Sequence, residues 1–136
     1  QAVNGLGFFQ AANFYPDFLL WVQKENRQHL AFVDPKGLHH FNPAHPKVQF
    51  ATRDIPQLQK IVDKQAPELW LHAFIISNTP YASLEWSRGG DRLMTKAEVE
   101  RLGVLFQVDD ATTYIPIMMS RILVDSTSRA LLSGAE

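Results

Sequence analysis

Phe14-Tyr15-Pro16-Asp17-Phe18-Leu19-Leu20-Trp21-Val22 and Leu30-Ala31-Phe32-Val33-Asp34-Pro35-Lys36-Gly37 are two apolar, strand-like runs, each carrying an acid where a strand does not favour one. Between them lies the polar segment Gln23-Lys24-Glu25-Asn26-Arg27-Gln28, with a turn-favouring Asn at its centre. Folding the chain between Glu25 and Asn26 makes an antiparallel hairpin in which residues equidistant from the turn face each other. Asp17 and Asp34 are such a pair. Directly opposed Cβ atoms lie roughly 4.5–5.5 Å apart. Side chains alternate along a strand, so Asp34 and Lys36 share a face. The hairpin therefore gathers Asp17, Asp34 and Lys36 at one end of a sheet.

Either Asp alone reads as a strand breaker. Two opposed carboxylates repel, however, unless a cation lies between them. With Lys36 beside them, the set has the composition of a divalent-metal site that acts on a phosphodiester. A glycosidase pair is the poorer fit. Opposed strand residues leave little room for an inverting water, and neither acid has an obvious apolar pocket.

Pro16-Asp17 followed by Asp34-Pro35-Lys36 resembles the signature of the PD-(D/E)XK nuclease superfamily. The flanks, Tyr15-Pro16-Asp17-Phe18 and the strand end Asp34-Pro35-Lys36-Gly37, are similar to nuclease domains attached to helicases. Type III restriction enzymes and DEAD/DEAH-box defence proteins are the nearest comparison. The resemblance covers residues 14–37. It implies an α/β fold with a restriction-endonuclease-like core: a mixed β-sheet with a catalytic hairpin flanked by helices. It makes Asp17 and Asp34 metal-ligating carboxylates, the Pro35 backbone carbonyl a further ligand, and Lys36 the residue that positions or deprotonates the attacking water. The implied cofactor is Mg2+, with Mn2+ as a substitute. Oxygen ligands, retained waters and contact to substrate phosphate suit magnesium. The implied function is a metal-dependent DNA endonuclease in a restriction or phage-defence protein. Its partners would be DNA and a helicase or ATPase motor in the same or a partner chain. The alternative is an inactive nuclease-fold module that binds DNA or docks a protein. Family members often carry a Glu on a helix before the first strand, and Gln1 to Asn13 contain no acid.

The 136 residues fit one domain, residues 1–136, with a real core. Hydrophobic residues make up 46% and charged residues 20%, an ordinary globular composition. With no cysteine, disulfides and thiolate metal sites are excluded. No apolar run approaches the roughly 20 residues that span a bilayer. A cytoplasmic setting and no membrane partner are expected. The start, Gln1-Ala2-Val3-Asn4-Gly5, reads as that of a domain excised from a longer helicase–nuclease protein. The net charge of −1 argues against a strongly basic, free-standing nucleic-acid binder. Residues 24–64 nevertheless hold seven Lys or Arg against four Asp or Glu. A motor domain would raise the effective DNA concentration for so weak a basic surface.

The remainder reads as scaffold. Gly5 to Phe14 forms a short strand or approach loop, and Leu38 to Pro46 a Pro-containing polar loop. Asp54 caps a helix from Ile55 and Pro56, with Ile55, Leu58, Ile61 and Val62 as its apolar stripe. Gln57, Lys60 and Lys64 lie on another face as a solvated surface or as DNA contacts. Leu69 to Ile76 is a buried strand, with His72 a core histidine. Tyr81 to Trp86 extends as a strand, and Gly89-Gly90 turns without P-loop spacing. Thr95-Lys96-Ala97-Glu98 is a capping box opening a helix that reaches Phe106. A last helix starts near Tyr114 to Pro116, its Met residues filling core. His39, His40 and His45 have no zinc-site spacing.

Overall fold

The computed structural model describes residues 16–39, 42–87 and 92–123. The hairpin forms from β1 (Phe18–Lys24) and β2 (Arg27–Lys36), which pair antiparallel from Phe18↔Val33 to Lys24↔Arg27, the expected register. Glu25, rather than Asn26, takes the left-handed conformation in the two-residue turn, with φ of 57°. A primed hairpin turn requires positive φ at its first central position.

The chain then leaves the sheet through a short helix ahead of the expected one. Asn42 opens it through an Asx turn, its Oδ1 accepting from Ala44 N at 2.8 Å. His45 is the N-cap of α1 (Pro46–Gln49), its Nδ1 accepting from Lys47 N at 3.1 Å. Pro46 sits where a missing N–H costs nothing. A widened π turn, Phe50–Asp54, joins α1 to α2 (Ile55–Gln65). The helix starts at Ile55 as expected, but Asp54 is itself helical and makes no side-chain cap, because the π turn and α1 run straight into it. Pro56 explains the widening: it has no N–H to offer, and its ring crowds the carbonyl one turn back. Ile55 N–H reaches back to Phe50 O, the five-residue spacing of a π turn.

β3 (Leu69–Ser77) returns parallel to β2. Tyr81–Ser83 is a 3₁₀ turn followed by extended chain, and not the strand expected there. After the capping box, satisfied on both sides by Thr95 and Glu98, α3 (Lys96–Arg101) ends early. Gly103 at φ 96° stops it, and β4 (Val104–Phe106) follows parallel to β3. The expected helix to Phe106 is thus corrected to a short helix and a strand. α4 (Tyr114–Ile122) ends the described chain.

The result is an α/β fold whose four-stranded mixed sheet has the order β1-β2-β3-β4. Helices cover both faces. Leu30, Phe32 and Leu71 pack under Phe50 and Ile55, while Ile75, Val104 and Phe106 pack with Val48 and Val99. Ala31, Val33, Phe74 and Ile76 point the other way, against Met118 and Ile122 of α4. This explains why β2 and β3 read as continuous apolar runs. Met118 has the expected core role, while His72 is half-buried and shares a hydrogen bond with His29. No helix among the described residues is long and apolar enough to cross a membrane.

Candidate active site

Asp34 stands on the helix-covered face of β2, in register with Ile75, and is completely buried. A carboxylate does not stay in such a place without compensation. Two lysines supply it. Lys47 Nζ donates to Asp34 Oδ2, and Lys36 Nζ lies 3.8 Å from Oδ1. The Lys47 and Lys36 side chains are 24% and 37% exposed respectively, whereas that of Asp34 is fully buried. At 3.8 Å Lys36 contributes charge but no hydrogen bond. Asp34 Oδ1 is buried and has no hydrogen-bond partner among the described residues.

The backbone around the pair is tied down. Asn78 N donates to Lys36 O at 2.9 Å, and Leu38 N donates to Thr79 Oγ1 at 2.8 Å. Thr79 is itself fixed by Ser77, whose Oγ donates to Thr79 O at 2.7 Å and accepts from Thr79 N at 3.0 Å. The carboxyl ends of parallel β2 and β3 are thereby clamped together. In open α/β sheets this is the end where ligands bind. Pro35 lies beyond the last β1–β2 pair, so its missing N–H costs that ladder nothing.

Asp17 is an exposed bend immediately before β1. The β1–β2 pairing begins one residue later, at Phe18↔Val33, so Asp17 is not part of the ladder. The two acids differ sharply in burial. Gln57, Lys60 and Lys64 are all exposed on α2. At about 1.5 Å per residue, Lys60 and Lys64 lie roughly 20 and 25 Å along the helix from Lys47, toward the other end of the sheet. The structure thus brings Asp34 and Lys36 together and leaves those lysines apart from them.

Two residues with clear tasks were not singled out from the sequence. Lys47 is one. Gln59 is the other: it docks α2 on β3 by accepting from Leu71 N at 2.7 Å and donating to Leu69 O at 2.9 Å. Lys47 carried a signal in Asn42-Pro43-Ala44-His45-Pro46, which matches an Asx turn and a proline-started helix. His45 is held below its usual pKa by burial and then by the charge of Lys47, which keeps its Nδ1 an acceptor for the cap.

No group of three or more His, Cys, Asp or Glu able to hold a metal occurs among the described residues. Among these residues Asp34 Oδ1 is buried and accepts no hydrogen bond, and Asp17 is an exposed bend before β1. Comparison with protein-family models, curated proteins and solved structures finds no match to the chain.

Proposed function

We propose that the chain is a magnesium-dependent DNA endonuclease domain with a restriction-endonuclease-like core, working beside a helicase or ATPase motor in a cytoplasmic restriction or phage-defence system. One observation carries the reading: a buried carboxylate, one oxygen of which accepts no hydrogen bond, ion-paired to two partly exposed lysines at the carboxyl ends of parallel strands. The resemblance of Pro16-Asp17 and Asp34-Pro35-Lys36 to the PD-(D/E)XK signature adds to it. So does the order of hairpin, helical crossover and parallel strand.

In this reading Asp34 Oδ1, with Asp17 and the Pro35 carbonyl, holds the ion. When bound, magnesium supplies Lewis acidity toward a phosphate oxygen and makes a water more acidic. Lys36 is the group that meets the reacting phosphate. Its ammonium opposes the negative charge that grows there. Preorganised charge of this kind is worth ~10²–10³ in rate. Gln57, Lys60 and Lys64 form an exposed row for a DNA backbone that runs along α2.

The test is cleavage of plasmid and linear DNA with Mg2+ by the intact protein and by Lys36→Ala. Wild type should cut, and the variant should fall by ~10²–10³ with fold and DNA affinity nearly intact. A phosphate-gripping lysine would instead show weaker binding and a salt slope reduced by about one. The second reading is an inactive docking or DNA-binding module on the same fold. Asp17 exposed beside a buried, lysine-paired Asp34 favours it. Wild type that cuts no DNA form in Mg2+ or Mn2+, with its motor present, would establish that reading instead.

A further inference from the structure

The sheet has two outer strands, and the fold treats them differently. β4 is three residues long and wholly buried, and so short an edge offers little to pair with. β1 is seven residues long and regular against β2, and among the described residues nothing pairs with its outer side. The usual guards against edge pairing are missing from its centre. Phe18 to Val22 contain no charge, proline or glycine, and the ladder to β2 has no bulge. Three of those side chains lie open: Phe18 is 61% exposed, Leu19 50% and Trp21 44%. An edge strand of this kind is a template for another strand.

Symmetry and charge together say which strand fits. Two copies of one chain meet through a twofold axis. For two antiparallel edge strands of one continuous sheet, that axis stands perpendicular to the sheet. Each residue then faces one that points to the same side, so the register is centred on a residue and not between two. Centring on Leu20 sets Leu20 against its own copy, Phe18 against Val22, and Leu19 against Trp21 twice over. It also sets Asp17 against the neutral Gln23, so no like charges meet. Centring on Trp21 instead places Asp17 opposite Glu25 and Phe18 opposite Lys24, and centring on Leu19 places Asp17 opposite Trp21. In the Leu20 register both faces of the sheet are extended by apolar pairs. Leu19 and Trp21 stand beside Phe32 and Leu30, which pack under Phe50 and Ile55, and Phe18 and Leu20 stand beside Val33 and Ala31 on the α4 side.

We infer that the outer edge of β1 is a homodimer interface, in which two copies join β1 to β1 antiparallel about Leu20 and make one eight-stranded sheet. The surface is small, so the dimer is reversible and depends on concentration. The inference does not depend on the nuclease reading.

Sedimentation velocity of the intact protein over a range of concentrations reads the association. Wild type should pass from monomer to dimer. Leu19→Lys/Trp21→Lys sets lysine against lysine across the axis and should weaken dimerisation by about tenfold or more. Both side chains are exposed, so the fold should survive, as circular dichroism will show. Leu19→Glu/Trp21→Glu should be equally monomeric alone. Mixed, the two variants should form a heterodimer, because each lysine then meets a glutamate. The chain has no cysteine, so a single introduced one reports the register. Opposed Cα atoms lie about 4.5–5.5 Å apart, within reach of a disulfide. Under mild oxidation Leu20→Cys should cross-link into dimers faster than Phe18→Cys or Trp21→Cys. Should a double variant fail to fold, this cross-linking decides. Wild type that stays monomeric at every concentration overturns the inference, whether another protein or residues 1–15 of the same chain cover the edge. A dimer that the folded lysine variant does not weaken also overturns it, as do folded variants that fail to associate when mixed. Faster cross-linking through Trp21→Cys than through Leu20→Cys overturns the register.

Discussion

The two ends of the same pair of parallel strands bury polar groups in opposite ways. At the amino end, His29 of β2 is 2% exposed and shares a hydrogen bond with His72 of β3, Nδ1 to Nε2, at 3.1 Å. Trp70 meets the His29 ring edge-on, and the Arg27 guanidinium lies 4.3 Å from the centre of a Trp70 ring. Arg27 Nη1 also has no hydrogen-bond partner among the described residues, but an aromatic face answers its charge. At the carboxyl end, Asp34 Oδ1 accepts no hydrogen bond and is met only by the charge of Lys36 at 3.8 Å. The amino end closes its polar groups on themselves, which locks a scaffold. The carboxyl end leaves one buried charged oxygen without a hydrogen bond beside two partly exposed lysines. An incomplete polar cluster in a native core is the better guide to function, because the cost of burying it is otherwise unexplained.

The largest break in this contrast should come from Asp34→Asn. It keeps the shape and removes the charge, leaving Asp17 to hold a hard cation nearly alone. Mg2+ affinity should fall at least tenfold by calorimetry, and any DNA cleavage by about 10²–10³. The freed lysines are partly exposed, so the fold should survive. Equal Mg2+ affinity in both proteins would move the ion elsewhere.

His29→Leu tests the other end. It removes the His29–His72 hydrogen bond, at a cost of about 0.5–1.5 kcal/mol by chemical denaturation. Mg2+ binding should not change, because the substitution lies at the far end of β2. If it weakened Mg2+ binding as Asp34→Asn does, the two ends would not be the separate devices described above.

The smallest effect is one of pH. The pKa of His45 in the folded chain lies below its ordinary value of 6.5. The unfolded chain therefore binds a proton first as pH falls. The stability this neutral imidazole contributes is present above 6.5 and is lost as pH falls through the lower, folded value. Asn caps helices without titrating. His45→Asn should accordingly lose less thermal stability than wild type between pH 7.5 and pH 5. Parallel curves would show that the cap does not feel the proton.

Much of this was legible in the linear chain. The hairpin register followed from where the polar turn sits between two apolar runs, because alternation and pairing are local rules. The buried strand at Leu69 and the capping box at Thr95 were readable for the same reason: their signals lie within a few residues. Lys36 shares a face with Asp34 by strand alternation alone.

Other features needed the tertiary structure. Val99, Leu102 and Phe106 have helical spacing, yet the helix stops at Arg101. A Cβ at Gly103 would meet the Ala73 carbonyl oxygen at 3.0 Å and the Ala51 Cβ at 3.3 Å. The chain there is shaped by a neighbouring strand and helix distant in sequence. Val104 to Phe106 then pair with Ile75 to Ser77, a partner no local pattern announces. Lys47 is the same lesson at the site. The sequence determined that an acid and a lysine stand together at the end of β2. Only the crossover determined that a second lysine closes on that acid from above, because its position depends on a proline-started helix, a π turn forced by Pro56, and the burial of Val48 and Phe50 against strands far along the chain.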